Sequence, residues 1–302
     1  MRVLEYVLSG ILLGSTYSLV AIGFTIIFGV LHRLNIAHGA IIMVSAFAGA
    51  TVTLLLGADS YGVLLLSFLA SVATGTALGL LIERLVFRPL RNASYLAPFV
   101  ATIGVTLMLE EGMLHISRRV PIFYPEYTPY PSPLEDLSFH IGGLYVRGVH
   151  VVIFAVALAL IFALHVWITR TDSGRAIRVV EENPTAARLL GIRVERVEMT
   201  AFAIASGLAG AAGCLIGVTN GTINPYIGGP LLLTGFIVIV IGGVGNLYGA
   251  MVAGLFVGLV ETLTTNLLSA TYKQAVLFVI MFIVLIVRPQ GIFGKAGLAR
   301  PD

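Results

Sequence analysis

The chain has 302 residues, of which 58% are hydrophobic and only 11% charged, and its mean hydropathy is +0.99. Average soluble domains carry about 25% charged residues, so the composition excludes a soluble enzyme domain and predicts a polytopic helical membrane protein, all-α, with no soluble domain attached. The net charge of +3 comes from arginines clustered at the ends of apolar runs, where topology accounts for them, and gives no reason to expect a nucleic-acid partner.

One cysteine, Cys214, lies inside an apolar run, so neither an internal disulfide nor a cysteine metal cluster is expected. Apolar character continues past Ser9 to Val30 without a processing site, which predicts that the first segment stays as a span rather than a cleaved signal.

Val3 to Leu31 is the first predicted span, longer than the ~20 residues a bilayer core needs. Gly10 and Gly14 form a small-xxx-small pair that lets another helix approach. Tyr17 adds a hydroxyl near mid-span, either packed or facing solute. His32 to Gly39, reading HRLNIAHG, precedes a second apolar run from Ala40 to Leu56. Asn35 can cap a helix beginning near Ile36, and the pattern fits a discontinuous helix or a tight interfacial turn. His38 is accordingly a candidate cavity residue or a turn histidine.

Tyr61 to Phe87 is the third span, with Gly75 and Gly79 as a second small pair, and it ends in IERLVFRPLR. Arg84, Arg88 and Arg91 mark that end as cytoplasmic, and Pro89 stops the helix. Ala93 to Ile116 follows, with Pro98 and Gly104 as expected weak points and Glu110 and Glu111 expected at the interface near Arg118 and Arg119. The loop from Ser117 to Gly148 holds five prolines (Pro121, Pro125, Pro129, Pro131, Pro133) and six aromatics including Tyr130. One span separates it from the arginine-rich loop on either side, so it faces outward. It reads as a stiff, extended lid or connector.

Val149 to Thr169, with Trp167 and His165 as interfacial anchors, leads into RTDSGRAIRVVEENPTAARLLGIRVERVE, Arg170 to Glu198. Six of the 18 lysines and arginines fall in this stretch together with five acids. Flanked by apolar spans, it must be a loop held in water. Asn183 is a good N-cap, Pro184 suits the first helical position and Gly191 is a natural stop, so Thr185 to Leu190 is predicted as about two turns of helix. Such a loop either presents its helix to a partner or serves as a solvated connector.

Met199 to Thr219 leaves the loop with a glycine stripe (Gly207, Gly210, Gly213, Gly217) suited to close packing. After NGTINPYIGGP, the apolar run Leu231 to Ile241 has 11 residues, too short to span, and GGVGNLYG breaks the chain again before Ala250 to Leu268. A short apolar segment between glycine-rich breaks points to a broken helix beside a transport pathway. Glu261 lies deep in the next span and is expected to pair with a hydroxyl or backbone group. Ala275 to Val287 is the last span, ending at Arg288-Pro289 with Lys295 and Arg300 beyond. About eight or nine membrane segments result. Placing Arg84–Arg91, Arg170–Arg196 and the C-terminal end in the cytoplasm requires even crossings between them, and counting back puts the N-terminus outside.

No enzyme constellation emerges. GVGNLYG has no preceding strand, Gly294-Lys295 is followed by Ala296 rather than Ser or Thr, and the six histidines lack ligand spacing. Few charges fall inside the spans, which argues against a carboxylate-relay pump and for a route whose energy enters elsewhere. Polar groups beside helix breaks are the candidates for lining a pathway: Tyr17, Asn35, His38, Asn220, Asn224 and Asn246.

Five stretches then carry a resemblance: GSTYSLVAIGFTIIFGV with NIAHG, IERLVFRPLR, SGRAIRVVEENPTAARLLGI, TINPYIG, and GGVGNLYGAMVAGLFVGLVE. Occurring in this order from Gly14 to Glu261, they resemble the LivH-type permease subunits of ATP-binding-cassette importers for branched-chain amino acids. The resemblance implies an inner-membrane permease domain spanning 1–302, with a cytoplasmic coupling loop at 170–198 and an outward loop at 117–148. It implies a coupling helix at Glu182 to Gly191, in which Glu182, Asn183, Pro184, Ala186, Ala187, Arg188 and Gly191 meet the ATPase.

It further implies a second, LivM-like permease, two ATPase subunits that use ATP and Mg, and a periplasmic solute-binding protein docked on the outward face. This chain itself would bind no cofactor. Related permeases carry urea, amides or aromatic acids, so the resemblance leaves the solute open, and a stand-alone channel would need the broken segments but no motor loop.

Overall fold

The computed structural model describes all residues except 1, 58–59, 125–126, 135–136, 142–143 and 295–302. Pro125 of the outward loop, and Lys295 and Arg300 beyond the last span, therefore lie outside the described residues. Eight helical segments among the described residues are long and apolar enough to cross a membrane, and a ninth is shorter. The spanning elements are α1 (Arg2–Leu31), α2 (Ala37–Leu56), α3 (Tyr61–Ile82, continuing as a π turn Glu83–Phe87), α4 (Leu96–Arg119) and α5 (Gly148–Arg170). They continue as α8 (Val194–Asn220), the short α9 (Gly228–Gly242), α10 (Leu247–Leu267) and α11 (Lys273–Val287), with α6 (Asp172–Glu182) and α7 (Pro184–Leu189) between α5 and α8.

Helices α1 and α8 are buried along most of their length, whereas α4 and α11 leave most of their apolar surface open. The reason is in their sequences. On α1, Gly10 and Gly14 meet α10 so closely that a Cβ on Gly14 would sit 2.6 Å from the Leu255 Cα and 2.7 Å from the Gly254 carbonyl oxygen. Ser18 completes this antiparallel contact by donating to the Met251 carbonyl at 2.8 Å. The glycine stripe of α8 works in the same way: Gly210 abuts the backbone of Ser71 and Val72 on α3, Gly213 meets Ile42 and Ala46 on α2, and Gly217 takes the ring of Tyr130. Small residues replace the hydrophobic effect as the means of holding helices together in lipid.

The charged ends converge on one pole. Arg33, just past α1, donates to the carbonyls of Leu90 and Arg91 at 2.8 Å each, and Arg91 pairs with Glu195 at 2.9 Å and with Glu198 at the start of α8. Glu181 near the end of α6 lies against Gly29 of α1 and Gly245 of the glycine turn. The chain after α11 joins the same pole through Ile292 and Phe293, whose N–H groups donate to the carbonyls of Ile241 and Gly242 at 2.8 and 3.1 Å. Positive ends gathered at one face agree with the charge-based orientation, and the start of α1 lies at the opposite pole.

Several expectations change. The stretch 170–198 is mostly helix: Arg170 ends α5, residues 194–198 open α8, and α6 fills the first half, capped by the Thr171 hydroxyl, which accepts from Gly174 N at 3.1 Å. Charge concealed the amphipathic spacing that buries Gly174, Ile177 and Val180 of α6. Helix α4 runs unbroken through Pro98 and Gly104. Pro98 is its third residue, where the missing N–H has no intrahelical acceptor to lose.

Along α4, Glu111 stands eight residues before Arg119, about 12 Å at 1.5 Å per residue. The outward loop also carries short strands, β1 (Thr128–Pro129), β2 (Ser138–Ile141) and β3 (Leu144–Arg147), with β4 (Thr222–Ile223) paired to β1.

Candidate functional site: a cavity and an exposed helix at the charged pole

The cavity exists because α9 is too short. Its 15 residues rise only about 22 Å, about 8 Å short of a ~30 Å bilayer core, which leaves space unfilled at the end away from the charged pole. Gly221 (φ +67°) turns the chain out of α8, β4 pairs with the outward loop, and Asn224 builds a tight turn by accepting from Tyr226 N at 2.9 Å before α9 begins.

A cavity of about 440 Å³ results, within the ~300–1,000 Å³ typical of small-molecule sites. Leu13, Thr16 and Tyr17 of α1 form one wall, with Ile216, Thr219 and Asn220 of α8 beside them. The turn and α9 contribute Asn224, Tyr226, Ile227, Pro230, Leu231 and Thr234, and Glu261 of α10 with Lys273 and Gln274 of α11 close it. Lys273 Nζ lies 2.8 Å from the Glu261 carboxylate.

Three of the six residues proposed from sequence therefore share this cavity: Tyr17, Asn220 and Asn224. The other three do not line it. Asn35 is buried beside the start of α2, its side-chain oxygen accepting from Ala37 N at 3.1 Å. His38 is fully buried one residue into α2, edge-on to Phe24 with ring centroids 5.7 Å apart. Asn246 caps α10 by accepting from Gly249 N at 3.0 Å and donates to the Phe293 carbonyl at 2.7 Å.

Glu261 meets the expected hydroxyl, that of Tyr17, and has Lys273 as a second partner that was not expected. Lys273 and Gln274 escaped the sequence reading. Their signal was an acid and a base 12 residues apart across the turn joining two apolar helices.

Tyr130 reaches inward from the outward loop and is fully buried between α2, α3 and α8, 2.7 Å from Ser67 Oγ and 3.2 Å from Cys214 Sγ. Burial, and then the nearby Cys214, push its phenol well above the usual tyrosine value. It pins the loop to the bundle.

At the charged pole, α7 is a complete small unit. Asn183 accepts from both Thr185 N and Ala186 N at 3.0 Å, and Pro184 takes the first position. At the other end Gly191 adopts φ +80° while Gly191 N donates to Arg188 O and Ile192 N to Ala187 O, both at 3.0 Å, which is the Schellman pairing. Two sequence expectations shift here. Glu182 closes α6 rather than entering α7, because the extended Asn183 separates the two helices. Ala187 is fully buried, held inward as the face that α7 lays on α6 and α8. The exposed face is Arg188, Leu189, Leu190 and Gly191, with Leu189 85% and Leu190 73% accessible. Adjacent leucines this exposed in a charged loop form a small apolar patch among arginines.

The family described as "Branched-chain amino acid transport system / permease component" matches residues 6–285. The chain is 33% identical over 296 residues to the high-affinity branched-chain amino acid transport system permease protein BraD of Pseudomonas aeruginosa, covering 97% of this chain and 96% of that one. It is 34% identical over 301 residues to the corresponding LivH of Escherichia coli, with the same coverage. A more distant likeness, 24% over 299 residues and 67% of its length, is to the LivM permease protein of Salmonella typhimurium. No solved structure matches. With eight helices of spanning length and a family match across nearly the whole chain, this multi-pass inner-membrane protein belongs to the permease family of branched-chain amino acid transport systems.

Proposed function

We propose that the chain is the permease subunit of an ATP-binding-cassette importer for branched-chain or related apolar amino acids. The observation that carries the reading is a continuous mechanical link. Helix α8 runs about 40 Å from the charged pole, where it packs on α6 and α7, to Thr219 and Asn220 in the cavity wall. Movement imposed on the exposed face of α7 is passed along α8 to the solute space.

In this reading the residues 1–302 form one permease domain, with 170–198 cytoplasmic and 117–148 outward. Glu182, Asn183, Pro184, Ala186, Arg188 and Gly191, joined by Leu189 and Leu190, dock on an ATPase subunit, while Ala187 supports that helix from behind. Tyr17, Asn220 and Asn224 line the pathway. The chain supplies no ATPase site and binds no cofactor; two partner subunits use ATP and Mg. A LivM-like permease completes the membrane part, and a solute-binding protein delivers solute to the outward loop.

The experiment is affinity capture of the chain from its native membrane with mass spectrometry of what accompanies it, followed by uptake assays on the purified assembly. Two ATPase subunits, a second permease and ATP-dependent uptake support the reading. Recovery of the chain alone, passing solute at a rate independent of ATP, defeats it in favour of a channel.

A further inference from the structure

The cavity contains an ion pair, and an ion pair is an odd choice if its only task is to tie α10 to α11. Apolar contacts of similar volume hold helices at least as well without the desolvation cost of two charges. The two partners are also unequal. Glu261 is 8% exposed and fixed in the middle of its helix, whereas Lys273 is 43% exposed at the end of a flexible four-carbon stem. Lys273 is moreover the first residue of α11, the end of a helix where a cation is disfavoured and an anion welcomed. The lysine ammonium at that end holds an anion, which is at present the Glu261 carboxylate. The remaining wall offers aliphatic surface from Leu13, Ile216 and Leu231.

Resting on the importer reading, we propose that Glu261 and Lys273 recognise the zwitterionic head of a free α-amino acid. The substrate's ammonium takes the Glu261 carboxylate, Lys273 swings aside to take the substrate's carboxylate, and the aliphatic side chain lies on the apolar wall. One internal ion pair is exchanged for two, with no change in net charge inside the cavity. A solute with a single charge leaves one protein group unpaired on entry, and an uncharged one gains no ionic partner from the closed pair, so the site selects amino acids over simple carboxylic acids, amides and urea, which narrows the choice left by the family resemblance.

The test uses the whole assembly in proteoliposomes, with its second permease, ATPases and binding protein, and measures ATP-driven uptake of labelled leucine. The double variant Glu261→Gln/Lys273→Met discriminates. If the pair is only a tether, removing both partners leaves no unpaired charge and uptake stays at the wild-type level, which overturns the proposal. Recognition predicts at least a tenfold loss in an assembly that still co-purifies in the wild-type ratio. Should the double variant not assemble, Lys273→Arg and Lys273→Met decide between them. Arg retaining more than a third of uptake while Met loses tenfold at an unchanged melting temperature and subunit ratio supports recognition, and equal uptake, or a loss that tracks a fall in melting temperature, overturns it. Absence of ATP-driven leucine uptake in the wild-type assembly defeats the importer reading itself and the inference with it.

Discussion

Replacing Gly14 by alanine tests whether the α1–α10 contact is what sets the cavity. The added Cβ would lie 2.6 Å from Leu255 Cα, 2.7 Å from Gly254 O and 2.9 Å from Leu255 O, all backbone atoms that no rotamer change can move. Overpacking of a close-packed interior costs about 1–3 kcal/mol, and a clash with backbone belongs at the upper end. About 3 kcal/mol is roughly a hundredfold in an equilibrium constant, and on the soluble-protein scale lowers the melting temperature by roughly 6–12 °C. The helices can escape only by separating, which draws Leu13 and Tyr17 away from Glu261 across the cavity. The assay is thermal unfolding of the purified assembly followed by size-exclusion chromatography, with uptake measured in parallel. Gly62→Ala is the control: its nearest neighbour would be Ser60 Oγ at 3.4 Å, an ordinary contact, so stability should hold or rise by about 0.4–1 kcal/mol. Equal stability of Gly14→Ala and Gly62→Ala would refute the packing argument.

Gly191→Arg puts a side chain at φ +80°, at a cost of about 1–2 kcal/mol confined to the end of α7; insertion should be normal while ATP hydrolysis is uncoupled from uptake, and normal uptake would sink the coupling assignment. Arg188→Glu, on the exposed face, should give the same uncoupling without loss of stability. Leu189→Asp with Leu190→Asp should reduce the ATPase recovered on co-purification, because the apolar surface exposed there would no longer be buried at an interface. Tyr130→Phe loses the bonds to Ser67 and Cys214 and should cost about 1 kcal/mol in thermal unfolding, whereas Tyr130→Ala opens a cavity and should cost about 3–5 kcal/mol.

What could be read from the chain in advance divides along a physical line. Spans, glycine pairs and the capped helix α7 depend on local composition and backbone preference, so Gly10, Gly14, Asn183 and Gly191 pointed to their own roles. Helix α6 did not, because its apolar positions are few and spaced among arginines and glutamates, and only packing on the ends of α1 and α5 reveals them as a face. Pathway residues were the hardest to assign. A buried asparagine beside a helix break is equally suited to capping a backbone turn and to meeting a solute. Asn35 and Asn246 satisfy local N–H groups away from the cavity, Asn220 reaches the cavity, and Asn224 does both.

Lys273 shows the same limit from the other side. Read alone, it is a cation at the outer end of an apolar helix, like many interfacial lysines. Only the antiparallel return of α11 against α10 brings it to Glu261. The short α9 supplies the other half of the argument: a segment that fails to span creates the one thing a permease bundle needs and a close-packed bundle lacks, an unfilled volume whose walls carry charge. Because α8 forms part of that wall and begins beside α7, the cavity and the exposed face of α7 lie at the two ends of one helix.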